Sequence, residues 1–396
     1  MEALTTARRA RVFFLIHRFV QGGAEQQLFE LVRGLDKQKF EATVGCLVPG
    51  GAKWDEFNAL PDVRVVCFDR GHKFNVFVWW QIYVFLKKNP VDILHAYLPP
   101  ATFYGIIAGL LAQTPVLIIG ERGTETEFPT LGSRIYYNLE NRMARYVDLV
   151  IANSLAGKQW KVRAGICPDR VTVIPNGLNP ERLRRQGQCT RATLGLREED
   201  PVLGNVARLV PMKDHQTLLR AVALVRERYP QVKCLLIGDG PLREDLERQV
   251  RQAGLSGSVL FLGHQAHIAD YLALCDVAVL SSKHTEGCSN FLLEAMYCGR
   301  PIVTTDVGGA REIVVHGETG WIVDKEDPCA LADAICLLLG DEQVRRTFGR
   351  AGRQRVTREF LLDKMIRKTE EVYEQLLWRR LRDTPQCAPC EAAAPR

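Results

Sequence analysis

Eleven short apolar runs, most of them followed by a stretch of helical periodicity, recur along almost the whole chain. RVFFLI (11–16), ATVGCLV (42–48), VRVVCF (63–68), DILHAY (92–97), VLIIG (116–120) and DLVIANS (148–154) form a first group. VLGNVA (202–207), VKCLLIG (232–238), VLFLG (259–263), VAVLSS (277–282) and PIVTT (301–305) form a second. The runs are nearly continuous rather than alternating, as parallel strands buried on both faces require. Between them lie amphipathic segments such as Ala24–Leu35, Asp214–Arg228 and Pro241–Ala253. Strands alternating with helices predict an α/β fold with parallel sheets.

One sheet does not comfortably hold so many strands, and 396 residues are enough for two or three cores. The series breaks between Pro175 and Pro201, a polar, strand-free stretch bounded by prolines. That break predicts two Rossmann-like domains facing each other across a cleft. Ligands of such sheets bind beyond the carboxyl ends of the strands, which places the expected site in the cleft. A last amphipathic helix is expected from Phe360 to Leu381, and a mobile tail over 382–396.

No run approaches the roughly 18 apolar residues of a membrane span. The N-terminus offers five apolar residues in the run RVFFLI before His17 and Arg18, shorter than a signal peptide requires, so a cytoplasmic protein is expected. The twelve cysteines are scattered; Cys46, Cys67, Cys234, Cys275 and Cys336 sit in apolar segments and read as small buried hydrophobes of a reducing compartment. Cys387 and Cys390 form a CxxC with no second pair or nearby His, which argues against zinc or redox chemistry. Residues 1–180 carry 21 Lys and Arg against 16 Asp and Glu, a net of +5, and the remainder, 31 against 30, a net of +1. A basic first half favours phosphorylated ligands or an anionic membrane surface. Dense basic runs interleaved with aromatics are absent, which disfavours nucleic acid.

Several strand-to-helix turns carry chemistry. Gly22-Gly23-Ala24-Glu25 opens the first helix, where glycines let a ligand approach the backbone amides. It is not GxGxxG, and NAD is disfavoured. Arg208 and Lys213, in ARLVPMKD, place two cations at a strand's carboxyl end beside a helix start, an arrangement suited to a pyrophosphate and equally open to being two solvated charges. The richest segment is SSKHTEGCSNFLLEAMYCGRPIV (281–303). Glu286 lies in the loop after a strand, Gly287 to Asn290 lead into a buried helix, and Glu294 sits within apolar FLLEAM. Burying an unpaired carboxylate is expensive, so Glu294 requires a partner, for which a ligand diol is suited.

These motifs together resemble the retaining glycosyltransferases of the GT-B fold in family 4, the group 1 glycosyltransferases. GGAE, Asn153-Ser154, VIPNGL (173–178), ARLVPMK, IGDGP, EGCSNFLLEAM and DVGGAREIV (306–314) follow the family's order over roughly residues 11–375. The resemblance implies an acceptor-side domain over 1–180, a nucleotide-sugar donor domain over 181–359, and a terminal helix crossing back onto the first domain. It places Arg208 and Lys213 on the donor diphosphate, Glu294 on the ribose and Glu286 on the donor sugar. Ser289 and Asn290, with Gly287, fall where helix-start amides meet the sugar and β-phosphate; Gly22 and Gly23 line the diphosphate and acceptor side.

One departure stands out. Where the family often carries His-Gly after the fifth strand, this chain has IIGERGTE, which puts Arg122 at that position. Arg does not deprotonate and cannot serve as a base. His95, at the end of DILHAY, is the other candidate for a sugar or acceptor contact, although strand-end histidines are commonly packed. The resemblance implies transfer of a sugar from a nucleoside diphosphate sugar, UDP by family frequency, to a glycan or lipid-linked hydroxyl acceptor in polysaccharide or lipopolysaccharide assembly. No Asp-x-Asp occurs, so no metal is expected. The alternatives are a GT-B epimerase or phosphorylase, or a non-catalytic sugar-nucleotide-binding subunit. FNVFVWWQIYVFLKK (74–88) combines aromatics with Lys87-Lys88, as an interfacial helix does; packing against the sheet is favoured over membrane contact.

Overall fold

The computed structural model describes residues 8–69, 71, 77–123, 131–284 and 286–383. It contains two sheets, every pairing in them parallel. The first comprises β1 (Ala10–Ile16), β2 (Phe40–Cys46), β3 (Val63–Cys67), β4 (Ile93–Tyr97), β5 (Val116–Glu121), β6 (Leu149–Ala152) and β7 (Val171–Val173), in the order β3-β2-β1-β4-β5-β6-β7. The second comprises β8 (Val202–Val206), β9 (Lys233–Ile237), β10 (Val259–Gly263), β11 (Val277–Leu280), β12 (Ile302–Thr305) and β13 (Gly320–Val323), ordered β10-β9-β8-β11-β12-β13. Each is the doubly wound arrangement, with strand order reversing between β1 and β4 and between β8 and β11. Ligands lie outside the carboxyl ends of the strands at such reversals. The GGAE turn follows β1, Arg208 and Lys213 follow β8, and Glu286 follows β11, so the motifs gather at both reversals.

The packing explains why the apolar runs are continuous. Val12, Phe14 and Ile16 of β1 join one buried cluster, whereas Phe13 and Leu15 join the cluster on the opposite face. With both faces covered, every position from Val12 to Ile16 is buried, each side chain contributing about 1.5–3 kcal/mol. The helix Val78–Lys88 packs on the second of these faces through Val78, Ile82 and Leu86 and leaves Trp80 exposed. Residues 74–76 of the proposed interfacial segment, and the Cys387–Cys390 pair, lie outside the described residues. Cys46, Cys234, Cys275 and Cys336 are buried and Cys67 half-buried, all as free thiols. Among the described residues no helix is long and apolar enough to cross a membrane.

The terminal helix runs from Leu362 to Asp383 and returns to the first sheet. Met365, Ile366, Tyr373 and Leu376 enter the cluster formed by β1, β2 and β4. A Cβ on Gly34 would stand 2.2 Å from Ile366 Cδ1, so glycine permits this close approach. Lys39 pairs with Glu374 at 2.9 Å and Arg380 with Asp148 at 2.5 Å. At the crossing, Leu178 N donates to Phe360 O (2.7 Å) and Leu362 N to Leu178 O (2.8 Å).

Candidate active site in the interdomain cleft

Glu286 is 7% exposed and already compensated. Lys213 forms an ion pair with its carboxylate, and Ser282 Oγ donates to the same oxygen at 2.6 Å. The turn carrying Lys213 is strapped to the loop after β11 by Ser281 Oγ donating to Lys213 O (3.0 Å) and Lys283 N donating to Met212 O (3.0 Å). Lys213 and Glu286, given separate roles by sequence reasoning, are thus direct partners. Arg208 stands exposed, with no ion-pair partner within 4.0 Å among the described residues.

Glu294 contrasts with this. It lies in the helix Asn290–Tyr297, half-buried, and its carboxylate has no hydrogen-bond partner among the described residues. Burial pushes its pKa from the usual 4.5 up to about 7, with Arg182 opposing the shift. Arg182 also approaches Glu30 at 3.8 Å, and Glu30 and Glu294 line one narrow crevice with Gln27, Asn179 and Asn290.

The helix starts of the two domains converge here. Ser289 occupies the N-cap position of the helix Asn290–Tyr297 and Gly22 that of the helix Gly23–Gly34, and neither is capped by its N-cap side chain. Amides at such uncapped starts are suited to anions. Asn290 Nδ2 lies 3.4 Å from Gly23 O and 3.4 Å from where a Gly23 Cβ would stand. A Cβ on Gly22 would come within 2.3 Å of Glu25 Oε2, so the Glu25 carboxylate folds back over the glycine turn. Burial raises the Glu25 pKa, with Arg208 and Lys53 opposing. The Glu25 carboxyl thus lies at the helix start, within electrostatic reach of Arg208.

Asn290 has a role that sequence reasoning missed. Its Oδ1 accepts from Gln27 Nε2 (3.1 Å) and Asn176 Nδ2 (2.9 Å), and Asn176 Nδ2 also donates to Cys288 O at 2.6 Å. Gln27 in turn exchanges hydrogen bonds with the Gly177 backbone at 2.9 and 3.0 Å. This amide clasp joins the domains across the cleft. The Asn-Gly of VIPNGL was its only sequence signal; Gln27 gave none. Beside it, a Cβ on Gly287 would lie 2.2 Å from Asn153 Oδ1, so only glycine fits where the loop abuts the first domain.

Arg122 reaches the floor of the cleft. Nη1 donates to Asn176 Oδ1 at 3.2 Å, and the guanidinium lies 4.9 Å from the centre of the Tyr97 ring. Its backbone is held from below. Glu121 Oε1 accepts from the amides of Arg122 and Gly123 (3.0 Å each), and Lys161 Nζ, wholly buried, lies 2.8 Å from both Glu121 and Glu140. His95 packs away from the surface. It is 0% exposed, Nδ1 lies 2.7 Å from Tyr373 Oη, and the ring stacks on Tyr97, so the returning terminal helix seals it from the cleft. Burial, aided by Arg122, lowers its pKa well below the ordinary value and keeps it neutral. Among the described residues, no three His, Cys, Asp or Glu side chains come together as a metal site.

Comparison with known proteins agrees with this arrangement. Residues 21–182 match the Glycosyltransferase Family 4 profile and residues 188–355 that of Glycosyl transferases group 1. The chain is 34% identical over 356 residues to the lipopolysaccharide core biosynthesis glycosyltransferase LpsE of Rhizobium meliloti, covering 90% of this chain and 96% of that one. It is 28% identical over 305 residues to the N-acetyl-alpha-D-glucosaminyl L-malate synthase of Bacillus anthracis, covering 74% and 76%. The crystal structure of Anabaena HepE in complex with UDP-glucose superposes with a TM-score of 0.82 at 25% identity, over 92% of this chain and 99% of that one. With both sheets, the returning helix and the ordered motifs in place, the chain is a GT-B glycosyltransferase of family 4, the group 1 glycosyltransferases.

Proposed function

We propose that this glycosyltransferase moves a sugar from UDP to a hydroxyl of a glycan or lipid-linked acceptor, with retention at the anomeric carbon, in lipopolysaccharide or polysaccharide assembly. The observation that carries the donor reading is the meeting of two helix starts, neither capped by its N-cap side chain, beside Arg208 and Lys213, with the Glu294 carboxylate, unpartnered among the described residues, further along the cleft. Arg208, Lys213 and the amides after Ser289 hold the diphosphate and stabilise it as it leaves. Gly22 and Gly23 let it approach, and Glu294 accepts from the ribose hydroxyls. Glu286 and the Gly287 loop hold the sugar. For Lys213 to reach phosphate, its pair with Glu286 loosens, which frees Glu286 towards the sugar in the same movement. Arg122 supplies a further cation beside the reacting centre. With no assigned base, front-face attack in which the leaving phosphate accepts the acceptor's proton fits retention. UDP and the assembly role are supported by the UDP-glucose complex of HepE and the name of LpsE.

The test is a donor screen with UDP- and GDP-sugars, following nucleotide release with and without lipid-linked acceptors and reading the anomeric configuration of the product by NMR. UDP release that requires acceptor, gives the retained anomer and survives EDTA is expected. Release of GDP only, an inverted product, or activity restored only by Mg²⁺ or Mn²⁺ would each remove one part of the reading. Peripheral membrane contact through the helix Val78–Lys88 is part of the proposal. Phe77 and Trp80 are 69% and 51% exposed, and Lys87 and Lys88 follow on the same helix. Sedimentation with anionic vesicles tests it; no binding at low salt removes it.

A further inference from the structure

A second cavity, of about 220 Å³, lies between the helix Leu155–Arg163 of the first domain and the loops after β11, β12 and β13. It adjoins the site through shared backbone: Lys283 and His284 of its wall precede Glu286 on one loop, and Gly309, next to Gly308 of its wall, donates its amide to Glu286 O at 3.1 Å. We propose that this cavity is the subsite for an anionic group, phosphate or carboxylate, carried by the acceptor. The inference rests on the glycosyltransfer reading and names the acceptor's chemistry.

Charge and shape point the same way. Arg163, Lys283 and Lys325 line the cavity, and its one acid, Asp306, is already engaged by Arg311 at 2.7 and 2.8 Å. Arg163 and Lys325 have no ion-pair partner among the described residues, and Lys283 has only a 3.7 Å approach to Glu326. Three cations lining one recess, Arg163 and Lys325 exposed and Lys283 half-buried, give it a positive potential that favours an anion. Trp160, on the same wall, keeps a buried indole N–H with no acceptor among the described residues. The Trp160 ring beside these cations suits a sugar bearing an acid. At about 30 Å³ per water the volume holds roughly seven waters. It is below the roughly 300–1,000 Å³ of whole-ligand sites. The cavity thus takes a charged fragment of the acceptor, with the reacting hydroxyl left to lie toward Glu286.

Titration calorimetry on the full-length chain tests this, with the donor site first saturated by UDP. Mannose 6-phosphate and glucuronate are the two anionic probes, and mannose and glucose their neutral counterparts. Binding of either anionic probe at least tenfold tighter than its neutral sugar is expected, and which of the two binds separates phosphate from carboxylate. Arg163→Ala and Lys325→Ala should each weaken the preferred probe at least fivefold and leave UDP affinity unchanged, with Lys325→Arg close to wild type. Equal affinity for charged and neutral probes, no binding of any probe at 20 mM, or variants without effect would overturn the proposal. The UDP titration reads the donor assignment separately. A chain that fails to bind UDP but binds an anionic probe in a Lys325-dependent way refutes the donor, not the subsite.

Discussion

Glu286 and Glu294 are eight positions apart at the same cleft, and the protein treats them in opposite ways. Glu286 is enclosed by a cation and a hydroxyl, so its charge is compensated before any ligand arrives. Glu294 has no such partner among the described residues, and burial raises its pKa to about 7. A compensated carboxylate stores no penalty for a ground-state ligand to relieve, so its contribution is expected in the transition state. An uncompensated one stores a desolvation penalty that a ligand donating hydrogen bonds relieves. The difference separates turnover from ground-state binding.

The largest effect that would break this comparison falls on turnover. Glu286→Gln should lower kcat by about 100- to 1,000-fold while UDP binds within about threefold of wild type. Steady-state kinetics beside calorimetry check it, and normal turnover would remove Glu286 from the sugar.

Next is a stability effect at the other glutamate. For a carboxyl raised from 4.5 to about 7, the folded chain keeps a proton that the unfolded chain releases, so stability falls as pH rises from 4.5 to 7 and is level above. Glu294→Gln should therefore stabilise the free enzyme at pH 8, by at most about 3 kcal/mol, and by little at pH 5. Thermal melts at both pH values read the difference. Equal shifts at pH 5 and pH 8 would mean that the carboxylate carries no such penalty.

The same substitution should cut UDP affinity by about 1.5–3 kcal/mol at pH 8, the range of a charged hydrogen bond. The gap from wild type should narrow below pH 7 as Glu294 protonates. A pH-independent gap would place the ribose elsewhere.

The smallest effect concerns the clasp. Gln27→Ala removes bonds to Asn290 and Gly177 and should cost about 1 kcal/mol by thermal melt, with a larger radius of gyration in small-angle scattering. An unchanged radius would mean that the clasp does not hold the domains closed.

Much of this architecture was legible because buried parallel strands leave continuous apolar runs. The two strands not read, β7 (Val171–Val173) and β13 (Gly320–Val323), are three- and four-residue edge strands. Each has only one neighbour, and neither is long enough to show a run. The motifs marked Lys213 and Glu286 as candidates, whereas their pairing was not legible, because that contact joins loops 73 positions apart. The cover over His95 was hidden for a related reason: it is Tyr373, 278 positions away. Gln27 and Arg182 carried no local signal, since an amide or a guanidinium gains meaning only from the opposite domain.

The return of the terminal helix has a consequence for how the protein is made. A ribosome releases the first domain's strands early, yet the surface holding His95 and Phe40 stays open until Tyr373 and its neighbours emerge. The nascent chain therefore carries an uncovered apolar face through synthesis of the entire second domain, a window in which chaperones have something to hold. Chains released early, short of Leu362, would keep that face permanently and should be recognised as incomplete by the quality-control machinery of the cell.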